Sequence, residues 1–183
     1  MRTFLSLTAF LTVGPVWAAP LPLREDYQKK AEQAPWEWSE AHATAAGSAK
    51  RLPGDYKAEV ESRDKSGGVV IRIVKGGRVV HFFEGHPRTV FAVRHDVLYY
   101  ADFGPASTGC AVVACDLRTG KQLWKARLQG LGPIAHKDYR NAVNLDLEKY
   151  AVCVRGQECL GNYIEFVDLR SGKTVGHKVY SRE

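Results

Sequence analysis

Asp116–Trp124 reads DLRTGKQLW, and Asp168–Gly176 reads DLRSGKTVG. The two stretches carry Asp, Leu, Arg, Gly and Lys in the same order, about fifty residues apart, which is the period of an internal structural repeat. The correspondence spreads without a gap from Asp96–Lys121 onto Glu148–Lys173. Gly104 falls on Gly156, Gly109 on Gly161, and Val112 and Ala114 on Ile164 and Phe166. Upstream, TVFAV (Thr89–Val93) corresponds to NAVNL (Asn141–Leu145). A fainter earlier copy, IRIVKGGRVV (Ile71–Val80), sets Gly76 where the later copies have Gly120 and Gly172.

The motif's composition has a local physical cause. The Asp116 or Asp168 carboxylate can accept hydrogen bonds from backbone N–H groups of the turn that follows it. Gly120 or Gly172 supplies the positive φ that closes the hairpin. Leu117 and Leu169 are expected to turn back to the core, and Trp124 to offer an apolar surface to a neighbouring sheet. Asp116 and Asp168 therefore read as turn-formers, not catalytic acids.

Around the motif, strand signals follow one another from Tyr56 to Tyr180. They are Tyr56–Arg63, Val69–Val74, Arg78–Phe83, Thr89–Arg94, Val97–Phe103, Cys110–Leu117, Gln122–Leu128, Asn141–Asp146, Lys149–Arg155, Asn162–Leu169 and Lys173–Tyr180. Each is short, rich in Val, Ile, Tyr or Phe, and most are bounded by Gly-containing turns. The clear helical candidate is Leu21–Ala34, with an acidic start at Glu25-Asp26 and Pro35 as a stop. Pro35–Gly54 reads as a linker, with Trp36 and Trp38 expected to pack on the sheet. The expected class is all-β: antiparallel, four-stranded, blade-like sheets in a partial or open propeller-like stack, with a short N-terminal helix. Residues 19–54 form the helix and linker, and 55–183 the repeat domain, in units of about 55–86, 87–139 and 140–183.

VVACDLRTGKQLW (Val112–Trp124) resembles the blade motif of pyrroloquinoline-quinone-type β-propellers, whose repeats end in an Asp, a Thr-Gly-Lys turn and a Trp. VDLRSGKTVG (Val167–Gly176) is similar, with Gly176 where the Trp would stand. The resemblance implies the sheet architecture and no activity, since the motif is a turn and a packing residue. Family members with quinone chemistry close seven or eight blades, and a closed ring takes about four or more. With two or three units here, quinone binding is not carried over and no cofactor is expected. An open stack of sheets is favoured over a ring completed by oligomerisation or a small barrel, because apolar blade faces stack directly.

MRTFLSLTAFLTVGPVWAAP has the form of a secretory leader: Arg2, an apolar run from Phe4 to Val13, and Val16-Trp17-Ala18 as a cleavage site after Ala18. Gly14-Pro15 interrupts the run well short of a membrane span. The expected place is the periplasm or the cell exterior, with no stable membrane insertion. Loss of Arg2 with the leader lowers the net charge from +6 to +5. The remaining Lys and Arg are scattered, so nucleic acid is not an expected partner. The four cysteines, Cys110, Cys115, Cys153 and Cys159, suit disulfides in an exported chain better than zinc. Cys110–Cys115 is disfavoured, since five residues of strand hold them about 16 Å apart and a disulfide needs about 7 Å or less. Cys153–Cys159 closing a hairpin, or two bridges crossing between the repeat halves, both remain open.

No nucleophile elbow, phosphate loop or dinucleotide motif occurs. The histidines (His42, His81, His86, His95, His136, His177) lack metal spacings, and Asp102, Asp116, Asp146 and Asp168 lack a calcium-loop spacing. His95-Asp96, before Tyr99-Tyr100, imitates part of an acid–base pair but sits at a turn. The candidate binding loop is Gly130–Glu148, where His136, Lys137, Asp138, Tyr139 and Arg140 stand side by side. The expected function is an exported, non-enzymatic interaction or scaffold module. Its partner would be a protein or an envelope or matrix component, or further copies of itself. The alternatives are an exported hydrolase or small-ligand-binding protein with a loop-assembled site, and a subunit completing a partner's propeller.

Overall fold

In the computed structural model, the residues described are 25–34, 49–63, 68–85, 89–102, 111–128, 143–158 and 161–181. They form one helix, α1 (Tyr27–Gln33), and twelve strands. The first sheet runs β1 (Ala49–Leu52), β2 (Tyr56–Ser62), β3 (Val69–Lys75) and β4 (Arg78–Gly85). The second runs β5 (Phe91–Arg94), β6 (Val97–Asp102), β7 (Ala111–Asp116) and β8 (Lys121–Arg127). The third is β9 (Val143–Leu147), β10 (Ala151–Glu158), β11 (Gly161–Asp168) and β12 (Thr174–Ser181). Every neighbouring pair is antiparallel and consecutive in sequence, so each sheet is a simple meander. The all-β, open, blade-like architecture expected from the repeat is the one observed.

The sheets stack face to face in chain order. Tyr56, Ala58, Val60, Ile71, Ile73 and Phe83 of the first sheet meet Val93, Leu98, Val113 and Cys115 of the second. Phe83 stacks on Tyr100 of β6, ring centroids 4.1 Å apart, a contact worth about 1 kcal/mol beyond its buried area. The other face of the second sheet presents Tyr99, Ala101, Val112 and Ala114 to Val152, Val154, Tyr163 and Val167 of the third. The third sheet's outer face, Ala151, Cys153, Ile164 and Phe166, closes on Tyr27 and Ala31 of α1. Both faces of the second and third sheets are thus buried. For this reason β7 is apolar almost throughout and does not alternate.

Two local readings change. The earliest repeat copy is a full four-stranded unit, because Ala49–Leu52, read as linker, adds β1 to the edge of β2. Its glycine counterpart is also shifted by one. The turn-closing pair is Lys75–Arg78 in the first sheet and Asp116–Lys121 in the second. In the third, Asp168 N–H donates to Lys173 O at 2.9 Å. The glycine before the closing basic residue is therefore Gly77, not Gly76, with φ of 76°, against 70° at Gly120 and 67° at Gly172. In each outer strand a bulge then leaves one residue unpaired, Val80, Leu123 or Val175.

Of the four cysteines expected in disulfides, Cys115 and Cys153 are buried free thiols. They cannot join each other, because Cys115 faces the first sheet and Cys153 faces α1. Burial pushes the Cys153 thiol up to about 12 and raises that of Cys115 as well, so neither is a reactive thiolate at neutral pH. Cys110 and Cys159 lie outside the described residues, as do the leader 1–18, Trp36, Trp38, His42, His86 and the candidate loop residues His136–Arg140.

Candidate interaction face

The aspartates of the repeated motif work locally. Asp116 Oδ1 accepts from Arg118 N–H at 2.8 Å. The backbone N–H and guanidinium of Arg118 hold the Asp116 carboxyl below its usual range. Asp168 Oδ1 accepts from Arg170 N–H at 3.2 Å, Ser171 N–H at 2.7 Å and the Ser171 hydroxyl at 2.6 Å. The two copies of the motif also touch each other. Trp124 Nε1–H donates to Leu169 O at 3.1 Å, and its indole covers Gly172, where a Cβ would stand 2.8 Å from the ring.

The residue just past each bulge is the one that reaches the next unit. His81 lies over the second sheet, 6.4 Å from the Tyr100 ring. Trp124 lies over the third sheet. Gly176, the third counterpart, faces α1, and a Cβ there would stand 2.2 Å from the Tyr27 carbonyl oxygen. The missing tryptophan is therefore the space into which the helix backbone settles.

The inner hairpin turns are clamped across the sheets. His95 and Asp96, both at positive φ, form the β5–β6 turn. Tyr56 O–H donates to Asp96 Oδ1 at 2.8 Å, and Lys75 Nζ lies 3.8 Å from the same oxygen. Asp96 thus ties the second sheet to the first in place of an acid–base role. Arg94 does the same for the next junction, donating to Leu147 O at 2.7 Å and to Glu148 O. Glu165, which the sequence analysis did not single out, is fully buried because this sheet is covered on both sides. It accepts from Thr174 Oγ1 at 2.5 Å. Among the described residues no three His, Cys, Asp or Glu side chains gather as a metal site, and no helix is long and apolar enough to cross a membrane.

What remains is the outer face of the first sheet, which no other described element covers. Its residues are set by strand register. Arg51, Lys57, Val74 and Val79 form one row across the strands. Ala49, Glu59, Arg72 and Phe82 form the next, and Glu61, Val70 and Glu84 the third. Val79 is 53% exposed and Phe82 65%, the largest value among the exposed large hydrophobic residues. Around them, Lys57 pairs with Glu59 at 2.8 Å, Arg72 with Glu61, and Arg63 with Glu84. An apolar stripe on β3 and β4 therefore sits beside paired, half-exposed charges, as at the rim of a protein contact. The strand signal at Arg78–Phe83 is legible in sequence; that no described element covers this side of it is not.

No protein-family model matches the chain, and no curated protein is similar to it in sequence. Among solved structures it is similar to BamB from Moraxella catarrhalis, at 18% identity and a TM-score of 0.38. The match covers 74% of this chain and 39% of that chain, so the chain spans well under half of that protein's length.

Proposed function

We propose that this chain is an exported, non-enzymatic interaction module that docks a protein partner on the outer face of its first sheet. The observation that carries the reading is the pair Val79 and Phe82, half or more exposed on a sheet face that no other described element covers, whereas the corresponding faces of the other two sheets pack on a neighbouring sheet through their central strands. A sheet face of this kind is stabilised by the surface that the next sheet of a stack would supply. Among the described residues, several polar groups with catalytic potential are engaged in structure: Asp96 with Tyr56, Glu165 with Thr174, and the motif aspartates with their own turns. Export rests on the leader-like residues 1–18, and N-terminal sequencing of protein recovered from cells should begin at Ala19.

The test is affinity capture with tagged wild-type chain and with Phe82→Glu, after mild cross-linking in the producing cells. Proteins held by the wild type, the chain itself included, should be lost with Phe82→Glu while the variant stays folded. An unchanged set of captured proteins would place the contact elsewhere.

A further inference from the structure

We infer that the outer hairpin turns of the three sheets form one cationic row, which binds a linear acidic polysaccharide laid across the stack.

The repeat builds the row. The residue that closes each outer turn after its glycine is basic: Arg78 after Gly77, Lys121 after Gly120 and Lys173 after Gly172. Each turn carries a second basic residue, Lys75, Arg118 or Arg170. These pairs lie far apart in the sequence, and the stacking of the sheets brings them into line. Gly120 lies against Val80 of β4, where a Cβ would stand 3.9 Å from the carbonyl oxygen, and Gly172 lies under Trp124 of β8. Each of these turns thus rests on the outer strand of the preceding sheet. Successive turns therefore follow one another at about 10 Å, the spacing of packed sheets.

The fold leaves most of this charge unused. Asp116 and Asp168 turn their carboxylates onto the N–H groups of their own turns, while all six basic residues are exposed. Lys75 is shared with Asp96, and Arg118 Nε lies 3.4 Å from Asp116 Oδ1 although its side chain is 71% exposed. Among the described residues, Arg78, Lys121, Arg170 and Lys173 form no ion pair. The inner turns sit at the same end of the stack, joined by the Tyr56–Asp96 bond and by Arg94 to Leu147 O. They carry both signs, with Asp55, His95 and Lys149 exposed and Asp96 and Glu148 half-buried.

The shape of the row selects the partner. It is one turn wide and roughly 20 Å long, which is two sheet spacings. A linear chain lying along it meets a pair of cations at each turn and avoids the carboxylates of the inner turns. A flat anionic membrane would meet both rows. The tip residues Gly76, Gly77, Thr119, Gly120, Ser171 and Gly172 offer it no large apolar side chain to insert. They also offer no aromatic ring on which a single-stranded nucleic acid could stack. An acidic polysaccharide requires only charge at regular spacing. The guanidinium groups of Arg78, Arg118 and Arg170 can each grip a carboxylate or sulfate with two N–H donors.

The experiment is fluorescence anisotropy of labelled dextran sulfate and of labelled polygalacturonate, titrated with the purified chain at several salt concentrations. The wild type is compared with the triple variant Arg78→Gln, Lys121→Gln, Lys173→Gln. A control loses the same charge elsewhere, by Lys29→Gln, Lys50→Gln and Arg127→Gln. All six positions are exposed, and thermal unfolding confirms that both variants are folded. The wild type should bind at least one of the two polysaccharides, with log affinity falling linearly with log salt. The row variant should bind about a hundredfold more weakly, about fivefold for each cation lost. Its salt slope should fall by about half, while the control stays close to the wild type. A wild type that binds neither polysaccharide overturns the inference, as does an equal loss in both variants, which would assign the binding to net charge. Vesicles of phosphatidylglycerol held through the same three residues, with neither polysaccharide bound, would overturn it in favour of a membrane surface.

Discussion

The two ends of the stack are built from the same four-stranded unit and finish differently. At the third sheet, the outer face has an apolar centre, Ala151, Cys153, Ile164 and Phe166, with Asp146, Arg155 and Lys178 in register beside it, and the chain covers that centre with its own helix. Tyr27 lies 5.1 Å from the Phe166 ring, and its hydroxyl accepts from Tyr150 N–H at 3.3 Å. The Gln28 side-chain amide both donates to His177 O and accepts from His177 N–H, at 3.2 and 3.1 Å. Tyr180 O–H donates to Ala34 O at 2.6 Å, and Lys178 Nζ to Glu32 O at 2.8 Å. The helix thus covers the face and bonds to β12 at once. At the first sheet the equivalent face interleaves Lys57, Glu59, Glu61, Arg72 and Glu84 with Val70, Val74, Val79 and Phe82. A face with so continuous an apolar centre is covered within the chain. A mixed face is stable in water and still able to pair.

The most severe way to break this contrast is at Gly176. Gly176→Val drives a side chain into the Tyr27 carbonyl, where backbone cannot yield, and should expel α1. A loss of about 3 kcal/mol in urea unfolding is expected, with hydrogen-exchange protection lost across residues 27–33. If α1 stays protected, the helix is not held by that close approach.

Trp124→Ala tests the junction inside the stack and should cost about 2–3 kcal/mol, since it removes the indole from Gly172 and the bond to Leu169 O. Its effect should fall on melting temperature. The Phe82-dependent capture, which uses the far face, should be unmoved.

Tyr56→Phe removes the tie between first and second sheets at Asp96, for about 1 kcal/mol. Equal melting curves for variant and wild type would mean that Asp96 is held by Lys75 and its own turn alone.

Acid should act on the same junction. His81 Nε2 is shut from solvent without a hydrogen-bond partner, and burial holds the imidazole below its usual range. The unfolded chain therefore binds that proton more readily, so the stability is present above the unfolded value of about 6.5 and is lost as pH falls through the lower folded value. Melting temperature measured from pH 7.5 down to 5 should fall more steeply for the wild type than for His81→Phe. Parallel curves would assign the acid sensitivity to other groups.

The smallest effect on stability belongs to the open face. Phe82→Ser should change unfolding by no more than about 0.5 kcal/mol, because Phe82 is 65% exposed, while removing the Phe82-dependent capture. A large loss of stability would mean that Phe82 is packed within its own chain.

Much of this molecule is decided within a few residues of each position. Short alternating strands, glycines at positive φ and aspartates folded back on their own turns are local effects. Eleven strands and the internal repeat are accordingly legible from composition and spacing alone, down to the Asp116 and Asp168 turns. Three features depend on residues distant in sequence. AKRL (Ala49–Leu52) has no strand pattern and becomes β1 because β2 offers it an edge to bond. The one-residue shift from Gly76 to Gly77 follows from the two-residue turn and from the bulge at Val80, which only pairing with β3 defines. Gly176, in sequence a missing tryptophan, acquires its purpose from a helix about 150 residues away. Burial is a property of what lies opposite a face. The strand pattern marks which residues could be covered, and the stacking of the sheets decides that the third is closed by α1 while no described element closes the first.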